Sequence, residues 1–145
     1  MPINNVKFGK DVIIPFPDLV NLYGCDIRDE CFIGPFVEIQ KNVVIGERTR
    51  IQSHSFICSN VTIGKDVFIG HGVMFINDKY PVHRNESEWG ITIVGDDTVI
   101  GSNATILPVS IGKKSLIGAG SVVTKNIPEM KIFAGNPAKF KGDQK

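Results

Sequence analysis

Every sixth residue from position 27 to position 69 is isoleucine: Ile27, Ile33, Ile39, Ile45, Ile51, Ile57, Ile63 and Ile69, and Phe75 holds the next slot. A helix repeats near 3.6 residues and a lone strand at 2, so neither requires a period of six. A chain wound into a prism with three short flat faces does. Hexapeptide periodicity predicts a parallel β-helix, each Ile pointing inward and stacking on its counterparts in the coils above and below.

A second column carries the same register. The residues two before each large one are Cys25, Cys31, Val37, Val43, Thr49, Ser55, Val61, Val67 and Val73, all small or β-branched. Inward positions two apart are what a strand supplies, and a narrow interior has room for one large side chain per turn. Gly34, Gly46, Gly64 and Gly70 directly follow an Ile, where a tight corner with unusual dihedrals is expected. Upstream, Phe8, Ile14 and Val20 are six apart and Val20 to Ile27 is seven, predicting one bulge. Downstream the repeat resumes at Val94, Ile100 and Ile106. It takes a five-residue step to Ile111 and continues at Ile117 and Val123.

These columns predict an all-β fold of about six coils, roughly 4.8 Å apart, over residues 1–127. Residues 77–90 (NDKYPVHRNESEWG) have no period and are read as a protruding loop. Residues 128–145 contain Gly135-Asn136-Pro137, a turn signal, and are read as a short tail with room for one helical turn. Outward columns are expected as well: Phe32, Arg50 and Phe68 on one face, Glu38, Phe56 and Met74 on another. Exposed aromatic and Met columns point to subunit contact or a ligand groove.

Composition narrows the classes. A chain of 145 residues with net charge +1 is one domain without an electrostatic case for nucleic acid. No apolar run reaches membrane-spanning length, and MPINNVKFGK lacks a signal-peptide core, so a cytoplasmic location is expected. Cys25 and Cys31 belong to the inward column; Cys58 reads as a surface corner thiol. No metal-binding spacing is present.

The hexads, the interrupting loop, GSNATILPVSIGKKSLIGAGSVVTKNIP and AGNPAK resemble the hexapeptide-repeat acyltransferases, the left-handed β-helix family. Left-handed winding is what the resemblance implies; general handedness rules favour the opposite. It also implies a homotrimer with active sites between subunits and acetyl-CoA as co-substrate, with no metal. The segments NLYGCDI and GHGVMFINDKYP look most like nucleotide-sugar N-acetyltransferases, closest to the dTDP-3-amino-3,6-dideoxyhexose 3-N-acetyltransferases. The implied acceptor is a nucleotide-linked amino sugar.

Candidate residues follow from chemistry and resemblance together. Amine acetylation needs an unprotonated nucleophile, placement and oxyanion donors. If a base acts, histidine is the usual one. His54 and His71 fall at corners of adjacent coils; a solvated corner is the plainer reading of both. Asn77 and Asp78 stand where the loop leaves the prism; each could simply cap a turn. The resemblance favours Asn77 near the reacting amine, and Asp78 could hold the sugar ammonium or take its proton. Tyr23, Tyr80, His83 and Arg84 are candidate sugar or diphosphate contacts, and Trp89 either that or a loop anchor. On the donor side stand Ala104, Ala119, Gly120, Lys125, Pro137 and Lys139, with a lysine-rich tail as phosphate patch or mere solubilising surface. Two other readings stay open. An O-acetyltransferase would need a true histidine base. A zinc site built from His54, His71 and His83 has an unfavourable spacing.

Overall fold

The computed structural model describes residues 1–145. The chain winds as a parallel β-helix of about seven turns. Three sheets, of seven, six and seven strands, form its faces. Successive strands such as Glu38–Ile39, Val44–Ile45 and Arg50–Ile51 fall on the first, second and third face in turn. The count exceeds the six coils of the hexad reading because the irregular first turn and the C-terminal strand both join the stack.

Both inward columns are buried as the repeat requires. Every Ile from Ile27 to Ile69 is sealed from solvent, and so are Cys25, Cys31, Val37, Val43, Thr49, Ser55, Val61, Val67 and Val73. Burying one Ile side chain is worth about 1.5–3 kcal/mol, so this ladder is the main source of stability. Hydroxyls in the small column bond to backbone: Thr49 Oγ1 donates to the Gly64 carbonyl at 2.7 Å and Ser55 Oγ to that of Gly70 at 2.8 Å. The outward columns also stack as expected. Phe32, Arg50 and Phe68 are in register on the third face, and the Arg50 guanidinium lies 4.3 Å from the Phe32 ring centre. Glu38, Phe56 and Met74 are in register on the first face.

Three local expectations are corrected. The large slot of the second coil belongs to Leu22, which pairs with Ile3 and Ile39, while Val20 sits in the small column. A 3-10 turn at Pro17–Leu19 inserts residues before the strand, so counting by six lands two positions early. The corner glycines do not take the unusual dihedrals. Positive φ falls three residues after each Ile, at Glu30, Phe36, Asn42, Arg48, His54, Asn60 and Asp66. Gly46 is there for close approach: a Cβ on it would lie 2.5 Å from the Gly64 carbonyl carbon in the next coil. Finally, Cys58 is buried at 2% exposure and is not a surface thiol.

The excursion begins at Asn77, whose carbonyl accepts the Gly90 N–H at 2.7 Å and so closes the loop at its neck. Beyond it the coils realign: Ile69 pairs with Ile100, a step of 31 residues in place of 18. The five-residue step to Ile111 is a corner shortened around Pro108, and Val109 takes the small slot. No helical turn forms in the tail. Lys131–Ala134 adds a parallel strand to the third face, and Lys139–Asp143 folds back antiparallel on it through the Gly135-Asn136-Pro137 turn. No helix is long and apolar enough to cross a membrane.

Candidate active site

The loop neck and the first face enclose a cleft of about 410 Å³, lined by Gln40, Phe56, Cys58, Phe75, Ile76, Asn77, Asp78, Pro81 and Trp89. Its position follows from the winding. Each first-face strand ends at the corner where the loop departs, so residues just after three successive inward side chains (Gln40, Cys58 and Ile76) line up beneath the loop. A second cavity, at the open end of the first coil, is lined by Ile3, Phe8, Gly9, Asp11, Val12 and Ile14 and carries no group suited to transfer chemistry beyond one carboxylate.

Within the cleft, Asn77 Nδ2 donates to the Ser59 carbonyl at 3.0 Å. Asp78 binds His83 twice: Oδ2 accepts the His83 backbone N–H at 2.7 Å, and Oδ1 lies 2.6 Å from Nδ1. The imidazole side-chain bond holds the Asp78 carboxyl below the usual carboxylate range, and the same bond raises the His83 imidazole above its ordinary value. His83 also anchors Trp89, whose indole Nε1 donates to the His83 carbonyl at 3.0 Å. His83 and Trp89 therefore brace the loop. Tyr80 and Arg84 are exposed on it, and the Lys79 ammonium lies 5.5 Å from the Tyr80 ring centre. Lys41 ties the loop's outer arm to the helix through Glu86 at 2.7 Å.

Tyr23 lies three coils below the loop neck and one below Gln40, its hydroxyl donating to Glu38 Oε2 at 3.1 Å. Burial, then the Glu38 bond, raises the Tyr23 pKa, so it stays a donor. Burial pushes the Cys58 thiol up to about 12, which removes it as a thiolate nucleophile near neutral pH.

The two candidate histidines stand elsewhere. His54 stacks on Phe36 with ring centres 4.9 Å apart, and His71 Nδ1 is hydrogen-bonded to Ser53 Oγ at 2.9 Å. They are neighbours, as their spacing predicts. But His71 precedes the strand Met74–Phe75 and Asn77 follows it, so the histidines and the loop neck occupy opposite edges of one face. A single chain brings Asn77, Asp78 and His83 together and leaves His54 and His71 apart from them. No metal-binding group of three or more His, Cys, Asp or Glu side chains forms.

On the donor side, Ala119 and Gly120 form an exposed corner of the last full coil, and Gly120 has φ +68 with open space where a Cβ would go. Gly118 is not open: a Cβ there would meet Ala134 at 2.8 Å. Ala104 requires correction as a cofactor contact. It is 0% exposed in the small inward column, and its backbone N–H and C=O are engaged with Gly101 and Met74. Pro137 and Lys139 belong to the terminal hairpin, whose turn stacks over Val122 through the Ala138 N–H. Lys125 projects from the opposite corner.

Two family models match, "Bacterial transferase hexapeptide (six repeats)" over residues 24–59 and "Hexapeptide repeat of succinyl-transferase" over residues 91–125. The chain belongs to the hexapeptide-repeat acyltransferase family. Among curated relatives, the bifunctional protein GlmU of Geotalea daltonii is 40% identical over 107 residues, 72% of this chain and 21% of the relative. The chain spans roughly a quarter of the length of the curated relatives it matches. Among hexapeptide-repeat structures, an acetyltransferase from Vibrio cholerae complexed with acetyl coenzyme A superposes with TM-score 0.74 at 26% identity, covering 84% of this chain and 72% of that one. A galactoside acetyltransferase in complex with coenzyme A superposes with TM-score 0.70 at 29% identity, covering 83% and 64%. The left-handed β-helix of this family is the fold described above.

Sequence reasoning missed Gln40, Cys58 and Ser59 as parts of the site region; Glu38 and Phe56 belong to the outward column it read as subunit contact or ligand groove. Its search for histidines looked to corners, whereas the polar lining is built from amides on the first face.

Proposed function

We propose that this protein is an acetyl-CoA-dependent N-acetyltransferase acting on the amino group of a nucleotide-linked, dTDP-type, amino-deoxyhexose. The observation that carries the reading is the composition of the cleft. Its polar lining is two amides, Gln40 and Asn77, and one carboxylate, Asp78; its walls are Phe56, Pro81 and Trp89. Such a pocket suits an apolar-faced deoxysugar bearing a cation, and within one chain it offers a hydroxyl acceptor no base. Asp78, held ionised, is a charge partner for the ammonium and a poor proton acceptor. Once it has lost a proton to solvent, the neutral amine attacks the thioester carbonyl directly. The C–N bond forms, the tetrahedral intermediate collapses with cleavage of C–S, and the departing CoA thiolate takes the amine's proton.

Asn77 orients the amine, while Tyr80, Arg84 and His83 are within the loop that would meet sugar and diphosphate. Acetyl-CoA would lie along the later coils beside Ala119, Gly120 and Pro137, with Lys139 toward its phosphates. His54 and His71 would join the cleft of a neighbouring subunit in a homotrimer, with residues 1–127 as the transferase helix and 128–145 as its tail. The reaction would be cytoplasmic.

The likeness to a galactoside acetyltransferase supports a second reading, O-acetylation with His71 as base, oriented by Ser53. Thiol release from acetyl-CoA with dTDP- and UDP-linked amino sugars, beside their hydroxyl analogues, separates the two. Turnover confined to amino sugars is expected. Turnover with hydroxyl acceptors, abolished by His71→Ala, would replace the first reading with the second.

A further inference from the structure

Ser59 is buried beside the cleft, and its backbone holds two side-chain amides at once. Its N–H donates to Gln40 Oε1 at 3.1 Å, and its carbonyl accepts from Asn77 Nδ2 at 3.0 Å. Gln40 is gripped at its other end too: Nε2 donates to Glu38 Oε2 at 3.1 Å, the same oxygen that accepts the Tyr23 hydroxyl. This network fixes which way both amides face. Turning Gln40 over would set its oxygen against the Glu38 carboxylate and its NH₂ against the Ser59 N–H. Turning Asn77 over would set two carbonyl oxygens against each other.

What remains is defined by subtraction. The Oδ1 of Asn77 makes no hydrogen bond within the chain, and the second Nε2 hydrogen of Gln40 has only the nearby Tyr23 hydroxyl, itself bonded to Glu38, beside it; both residues line the cleft. The donor comes from the coil below Ser59 and the acceptor from the coil above. Their backbones are two coil spacings apart, about 10 Å, and both side chains lean inward toward Ser59. The cleft that both line, about 410 Å³, has room for a hexose ring.

We infer that Gln40 is a specificity-determining residue: its second Nε2–H donates to a ring hydroxyl of the acceptor while Asn77 Oδ1 receives a hydrogen of the reacting amine. The acceptor selected is thus an amino sugar that keeps a hydroxyl near its amine. Glu38 and Tyr23 touch Gln40 and act as positioning residues. The inference rests on the amino-sugar reading above.

The test compares kcat and KM for amino-sugar nucleotides carrying a hydroxyl on either side of the amine with analogues lacking one or the other, in the wild type and in Gln40→Met. The wild type should prefer one hydroxylated acceptor over its deoxy analogue by about tenfold in kcat/KM, as a single hydrogen bond allows. Gln40→Met should bring that ratio near one, chiefly through acceptor KM, with KM for acetyl-CoA unchanged. Gln40→Leu, which removes the donor without setting a second carboxylate against Glu38, should erase the preference as well and serves if Gln40→Met does not fold. An equal loss on all acceptors, or a preference that survives both variants, overturns the inference alone. A wild type inert toward every amino sugar overturns it together with the acceptor class.

Discussion

Thr49 and Thr92 occupy equivalent slots in the small inward column, two residues before Ile51 and Val94, and both are essentially fully buried. Their hydroxyls have opposite fates. Thr49 Oγ1 donates to the Gly64 carbonyl at 2.7 Å and accepts the Val67 N–H at 3.1 Å. Thr92 Oγ1 has no partner. The same near-isosteric substitution should therefore change stability in opposite directions. Thr92→Val removes a desolvated, unpaired hydroxyl and adds a methyl against apolar neighbours such as Val61, with which it pairs in the sheet. An unsatisfied buried hydroxyl costs about 1–3 kcal/mol, so Thr92→Val should stabilise by about 1–2 kcal/mol. Thr49→Val strands the buried Val67 N–H and one hydrogen bond of the Gly64 carbonyl, and should destabilise by about 1–3 kcal/mol. The assay is urea and thermal unfolding at one fixed protein concentration, because association into the proposed trimer would make the midpoint concentration-dependent. For a chain this size each kcal/mol moves Tm by about 2–4 °C. Midpoints that move the same way in both variants would refute the hydrogen-bond assignment and leave packing of the column as the governing factor.

Asn77→Ala should lower turnover about tenfold or more through loss of one substrate hydrogen bond, while far-UV circular dichroism stays native; unchanged turnover removes Asn77 from the site. Ile51→Asp buries an unpaired charge inside the prism and should abolish soluble, cooperative folding, and a native-like variant would overturn the inward register. The three thiols, with Cys25 and Cys31 pushed up to about 11 and Cys58 to about 12 by burial, should react with an aromatic disulfide reagent near neutral pH only after denaturation; rapid reaction of the native protein would contradict their placement. The Asp78–His83 clasp should respond to pH at both ends. The raised His83 pKa makes its contribution complete below the unfolded imidazole value of about 6.5 and lost as pH climbs through the folded value; the lowered Asp78 pKa makes its contribution complete above about 3.9 and lost on acidification through the folded value. An NMR titration of the His83 ring should give a midpoint above the ordinary imidazole value that falls back in Asp78→Asn; an identical midpoint in the two proteins would show that the contact is not formed in solution.

Much of the helix was legible because a narrow interior constrains volume at two positions of every six, and no other architecture repays that pattern over so many turns. What escaped the hexad count did so for local reasons. Leu22 was displaced by a 3-10 turn whose extra residues have no periodic signature. The tail hairpin depends on pairing with Leu116–Ile117, a contact invisible from composition.

The cleft had a signal that the search for histidines passed over. The residue directly after each large inward side chain is Gly on most coils of the second and third faces: Gly9, Gly46, Gly64, Gly95 and Gly112 on one, Gly34, Gly70, Gly101 and Gly118 on the other. Those corners press against the neighbouring coil, and an added Cβ at Gly46, Gly70 or Gly101 would lie within 3 Å of its backbone. On the first face the same slot holds Tyr23, Gln40, Cys58, Ile76, Leu107 and Thr124, never glycine. A corner that accepts a full side chain in every coil is one that the winding leaves open, and an open corner beneath a protruding loop is where a ligand can be held. Gln40, Cys58 and Ile76 line the cleft for that reason. In a solenoid the repeat itself reports the core, while the one face that departs from it, once per coil, reports the site.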